Sequence, residues 1–98
     1  MPLTIDPEQK EVHALKRIVD WRRKRVLEIG CGDGRLTLRL AQLGAHVHAL
    51  DPAAKLIRSA RRHLPRRLAK RVRYHVGKAE RLDYPNESFD LVVFAWVL

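Results

Sequence analysis

Two carboxylates and three glycines mark where this chain could do chemistry. Glu28 is followed by Gly30, Gly32 and Gly34, with Cys31 and Asp33 between them, and Asp51 stands 23 residues beyond Glu28. Alternating glycines let the backbone turn through positive φ and remove the Cβ atoms that would hold a ligand off the main chain. An acid at the distance of Asp51 is placed to accept hydrogen bonds from both hydroxyls of a bound ribose. The plainer role for Asp51 is to cap the helix that follows it. The register of the glycines excludes two common nucleotide sites. The third glycine of a G-x-G-x-x-G dinucleotide fingerprint falls on Arg35 or Thr37, and no Gly-Lys-Ser/Thr follows, as a phosphate loop requires. Cys31 reads as a small packed residue rather than a nucleophile. His46 and His48 share a strand face, but no Cys, Asp or Glu joins them at ligand spacing, so no metal site is expected.

The surrounding elements follow from periodicity. Val26, Leu27 and Ile29 form a short apolar run of β-formers before the glycines. Leu36, Leu40 and Leu43 then recur at helical spacing, and Gly44 suits the helix end. His46 to Leu50 is a second short strand that ends at Asp51-Pro52. Pro52 opens a second helix with Leu56, Ile57, Ala60 and Leu64 inward, and Pro65 stops it. Val72, Tyr74 and Val76 alternate with Arg71, Arg73 and His75, the period of a half-buried strand, which places it at a sheet edge. Phe89 to Phe94 is a fourth strand. Ahead of all this, Asp6-Pro7-Glu8-Gln9 is a helix start, and Val12, Leu15, Ile18, Val19 and Trp21 give an apolar stripe, so a helix is expected at about 7–22. The order predicts parallel strands with right-handed crossovers and helices on both faces.

Bulk properties bound the rest. A chain of 98 residues is one small domain at most. One cysteine forbids an internal disulfide, and no basic region followed by an apolar core opens the sequence; a reducing cytoplasm is expected. The longest apolar run, Leu91 to Leu98, is far short of the roughly 20 residues of a membrane helix. The net charge is +9, and nine basic residues from Lys55 to Arg73 crowd one segment. Such a segment suits either a solvated face with arginine stems over apolar surface or a nucleic-acid surface. No aromatic stacking set accompanies it, which favours the first.

The pattern acid-x-Gly-x-Gly-x-Gly resembles the class I S-adenosylmethionine-dependent methyltransferases, in particular the methyltransferase type 11-like domain. The resemblance runs from Val26 onward, through Leu50-Asp51, then Gly77-Lys78-Ala79-Glu80-Arg81-Leu82, then Ser88-Phe89-Asp90-Leu91-Val92-Val93. It implies an α/β fold, a Rossmann-like open, mostly parallel sheet flanked by helices, and an enzyme that moves a methyl group from S-adenosylmethionine to a small-molecule acceptor. Carried onto this chain, it implies that Glu28 organises the glycine loop and the cofactor's amino end. Gly30, Cys31 and Gly32 line the methionine moiety, and Asp51, with Pro52 beside it, binds the ribose. Ala79 and Glu80 lie by the adenine, and Phe94, with Ala95, follows the fourth strand near the sulfonium. Lys78 stands where many relatives have an aspartate that accepts from the adenine amino group, and a lysine can only donate.

The resemblance also sets a limit. The family's usual sheet has seven strands, and this sequence supplies four, so residues 1–98 are expected to be a single partial domain holding the cofactor half of a truncated enzyme, inactive alone. The fourth strand, central in the family, would here be an open edge through which copies could associate. A noncatalytic interaction fragment or a basic nucleic-acid-binding module is the alternative.

Overall fold

The computed structural model describes residues 2–5, 20–78 and 88–95. Five strands, β1 (Pro2–Ile5), β2 (Arg25–Ile29), β3 (His46–Asp51), β4 (Val72–Val76) and β5 (Leu91–Ala95), form one sheet in the order β1-β5-β2-β3-β4, every pair parallel. Helix α1 (Arg35–Gln42) links β2 to β3, and α2 (Ala54–Arg62) with a 3₁₀ turn at Arg66–Leu68 links β3 to β4.

Both helices pack on one face of the sheet. Two successive right-handed crossovers that step the same way across a sheet must lie on the same side of it. That face holds the larger core, in which Leu36 and Leu40 of α1 and Ile57 and Ala60 of α2 meet Val26, Val47, Val72 and Val93. The opposite face carries a smaller cluster: Leu27, Ile29 and Leu50 buried, with Phe89, Val92 and Phe94 against them. Alternation along each strand sends neighbours to opposite faces, so Glu28 points toward α1 and Leu27 away from it. The chain steps from β2 outward to β3 and β4, then returns to set β5 on the other flank of β2. That reversal is a topological switch point, and it opens a crevice beyond the carboxyl ends of β2 and β5.

Three expectations change, and one falls outside the described residues. The strand at 91–95 is not an open edge, because β1 pairs along its outer flank with Pro2 opposite Val92 and Ile5 opposite Ala95. The edge open to association through that strand is therefore covered, and β1 and β4 form the two edges. Proline is tolerated there because a first residue on an edge strand need not donate to the ladder. The helix expected at about 7–22 falls on residues outside those described, save Asp20 to Arg22, which are not helical. Trp21 is nevertheless buried in the main core. Helix α2 starts at Ala54 rather than Pro52 and ends at Arg62, short of Pro65. Within it Leu56 faces solvent, and Val76 at the end of β4 is also exposed. Leu64 lies beyond the helix and is only partly buried. The edge position of β4 and the turn at Gly44 are as the sequence predicts.

Candidate functional site

The glycine loop is held by backbone bonds that β-strand ends supply without any cofactor. Gly30 and Cys31 both donate to the Leu50 carbonyl, at 2.8 and 3.0 Å, and Gly34 donates to the Cys31 carbonyl at 3.0 Å. The loop thus doubles back across the end of β3 before α1 begins.

Asp51 joins three segments at this end of the sheet. Its Oδ2 accepts from the Gly32 N–H at 2.9 Å, and its Oδ1 accepts from the Ala53 N–H at 2.8 Å. Its carbonyl accepts from Gly77 at the exit of β4, at 3.0 Å. Asp51 is therefore not the helix cap, a position held by Ala53 in extended conformation. It is 9 % exposed, and each carboxylate oxygen keeps a second lone pair after its backbone bond. Two hydroxyl donors from the crevice side can still be accepted.

Glu28 lies beneath the loop, fully buried. Its Oε1 accepts the Thr37 hydroxyl hydrogen from α1, a short bond that ties β2 to α1 across the loop. Its Oε2 has no hydrogen-bond partner among the described residues. Burial pushes the Glu28 carboxyl up to about 7; the Thr37 bond opposes the rise, and the negative charge of Asp51 adds to it. The Cys31 thiol is raised far above its ordinary value by burial first and by Glu28 and Asp51 next, so it is inert as a nucleophile.

Tyr74 supports the loop from β4. Its ring is buried, and its hydroxyl sits under Gly34 with no partner among the described residues. A Cβ on Gly34 would overlap that hydroxyl and lie 3.1 Å from Cζ, and Gly34 has φ +92°. Glycine is required there twice over, by conformation and by contact. Gly32, by contrast, has φ +58° and open space where its Cβ would be. That gap lies beside the Gly32 N–H bonded to Asp51, so a ligand can approach the main chain at this point.

The expected site residues divide accordingly. Glu28, Gly30, Cys31, Gly32 and Asp51 are brought together at the carboxyl ends of β2 and β3. Pro52 is exposed beside them. Phe94 pairs in register with Ile29, one residue short of the loop, and packs in the smaller apolar cluster. Ala79 and Glu80 lie outside the described residues; Lys78 is exposed. Thr37 and Tyr74 are additions that the sequence reading missed. The available signal was parity: Glu28 shares the inward face with Val26, and Thr37 is the polar residue on the inner side of α1.

The donor set fits a cationic, phosphate-free ligand. The Asp51 carboxylate and the loop's backbone dipoles face the crevice, Glu28 lies buried beneath them, and Arg35 is 3.8 Å from Asp33 on the exposed side. Among the described residues no group of three His, Cys, Asp or Glu could hold a metal ion, and no helix is long and apolar enough to cross a membrane.

An open parallel sheet with a glycine loop at its switch point and an acid at the end of the next strand defines a nucleoside-binding α/β domain. The chain belongs to the methyltransferase domain family, whose model matches residues 26–98. It is 40 % identical over 77 residues to the mitochondrial ubiquinone biosynthesis O-methyltransferase of Mus musculus, covering 76 % of this chain and 21 % of that one. It is 42 % identical over 69 residues to the magnesium-protoporphyrin O-methyltransferase of Rhodobacter capsulatus, covering 70 % of this chain and 30 % of that enzyme. Among solved structures, an S-adenosylmethionine dependent methyltransferase from Mesorhizobium loti superposes with a TM-score of 0.72 at 26 % identity, over 88 % of this chain and 40 % of that one. The chain thus spans less than a third of the curated relatives' length and less than half of the solved neighbour's.

Proposed function

We propose that residues 1–98 form the S-adenosylmethionine-binding part of a methyltransferase that acts on an oxygen of a small-molecule acceptor. The family match and the names of the two curated relatives, both O-methyltransferases of small molecules, support this reading. The observation that carries it is the Asp51 carboxylate, fixed between the Gly32 and Ala53 N–H groups beside the open side of Gly32.

When bound, S-adenosylmethionine supplies a methyl group on a sulfonium, a good leaving group, so the protein's task is alignment. Asp51 accepts the ribose hydroxyls on its free lone pairs. The Gly30–Gly32 backbone would line the amino-acid end, and Glu28 beneath it holds the loop in place through its bond from Thr37. Phe94, at the end of β5, would lie on the methyl side of the site, and the segment around Ala79 and Glu80 would receive the adenine. No described residue is assigned as a general base. A reducing compartment such as the cytoplasm suits the free thiol of Cys31.

Calorimetric titration with S-adenosylmethionine and S-adenosylhomocysteine tests the proposal. Saturable binding is expected for the chain, with a loss of about 2 kcal/mol in Asp51→Ala from two missing charge-assisted bonds. Absence of binding by the folded chain, shown by circular dichroism, would overturn it.

A further inference from the structure

The amino ends of the same strands carry a different constellation. On the face away from α1 and α2, β3 presents His46 and His48, and β4 presents Arg73 and His75, with His48 opposite Arg73 in register. The His48 and His75 rings lie 4.5 Å apart at a 31° tilt, and Phe89 stands edge-on to His48 at 6.0 Å. The turn Lys70-Arg71 and the start of β2 at Arg25 close the end of a cleft of about 200 Å³. Asp90 turns its carboxylate onto Arg25, accepting from the Arg25 N–H at 2.8 Å, Nε at 3.3 Å and Nη2 at 3.2 Å. That acid answers Arg25 and leaves the lysine and arginines of the β4 side with a positive surplus.

We propose that this cleft is a second binding site, for a small phosphate-bearing anion held by Lys70 and Arg73 against the His48 ring, which His75 backs from outside the cleft. The size argues for a small ligand, since pockets that enclose drug-sized molecules measure roughly 300–1,000 Å³. The donors argue for phosphate over a carboxylate: a guanidinium, an ammonium and imidazoles approach from separate elements, which suits a tetrahedral anion with several acceptor oxygens. The site lies at the opposite end of the strands from the glycine loop, so it does not belong to the cofactor crevice.

Protonation is coupled to this site. Among the described residues, the charged and titratable groups that line the cleft are Arg25 of β2, His46 and His48 of β3, Arg73 of β4, and Lys70 and Arg71 of the turn, with Asp90 bonded to Arg25 and the Arg71 guanidinium donating to the Ala41 carbonyl at 3.4 Å. Burial, then the charges of His75 and Arg73, holds His48 below its ordinary value. An anion beside these groups offsets the last two effects and draws a proton onto His48. Affinity therefore rises as pH falls through the histidine range.

Titration of the chain with inorganic phosphate, followed by NMR against chloride at equal ionic strength, tests the site. The expected result is saturable shifts at His48, Arg73 and His75 with the glycine loop unmoved. Arg73→Ala and Lys70→Ala, both at exposed positions, should each weaken binding about tenfold. Sulfate, doubly charged throughout, serves the pH arm and should bind several-fold more tightly at pH 6 than at pH 8. Methyl phosphate binding as well as phosphate identifies a phosphate ester as an admissible ligand; tighter binding of phosphate alone restricts the site to the free ion. Chloride-like behaviour of phosphate, or unchanged affinity in Arg73→Ala, overturns the proposal. So does mixed-sequence RNA that saturates the same residues far below the phosphate concentration, because the surface is then a nucleic-acid one.

Discussion

At the carboxyl ends of β2 and β3, two acids lie buried and are met by backbone N–H and one hydroxyl; at the amino ends, cations line an open cleft. The sheet thus separates charge by end. The acidic end is built on glycines and main-chain donors, whose positions the sheet fixes. The basic end is built on long side chains that keep their charged heads in water. Substitutions should therefore damage the first end through fold and loop geometry, and the second mainly through charge.

The largest effect belongs to Gly34→Ala. The overlap with the Tyr74 hydroxyl and the positive φ together should cost about 4 kcal/mol, read as a lower denaturation midpoint. Adding Tyr74→Phe removes the hydroxyl clash but not the backbone strain, so the double variant should recover part of the loss. Full additivity of the two changes would show that Tyr74 does not support the loop.

Next comes the pH dependence of Glu28. Its folded value, about 7, lies above the ordinary 4.5, so the folded state holds this proton more tightly than the unfolded one. Stability is then highest below about pH 4.5 as far as this group is concerned, and it falls as pH rises to 7. The drop is on the order of 3 kcal/mol. Glu28→Gln should flatten that slope between pH 5 and pH 8 in urea unfolding. An unchanged slope would place the titration elsewhere. Thr37→Val removes the bond to the carboxylate and should cost about 2 kcal/mol at neutral pH.

The smallest effect is at the basic end. Arg25 beside Asp90 holds that carboxyl below its usual range, so its contribution is present above the ordinary carboxylate range and is lost on acidification. Both groups are exposed. Asp90→Asn should lower the midpoint slightly at low salt and hardly at all at high salt. A large, salt-independent loss would mean that the two ends do not differ in the way described.

Much of the acidic end was legible because it is local. Strand, glycines and helix follow one another within Val26 to Thr37, and each periodicity is visible in a short window. Asp51 was legible as an acid at the end of the second apolar strand, but not as the group that ties the Gly32 loop to α2, because Asp-Pro reads equally well as a cap. Tyr74 and Thr37 were hidden because their partners lie on other elements, and register decides which face meets the loop. Strand β1 was invisible for a different reason. Four residues carry almost no periodicity, and their partner, Leu91–Ala95, lies at the far end of the sequence. The exposed Leu56 shows the converse limit, an apolar residue at helical spacing that falls just outside the buried stripe.

A crystal structure of the chain with S-adenosylhomocysteine tests the central claim most directly. The ligand should lie across the carboxyl ends of β2 and β3, with its ribose hydroxyls on the Asp51 carboxylate and its amino-acid end along Gly30–Gly32. A ligand seated elsewhere, or one that leaves the Asp51 carboxylate without a ribose contact, would contradict it.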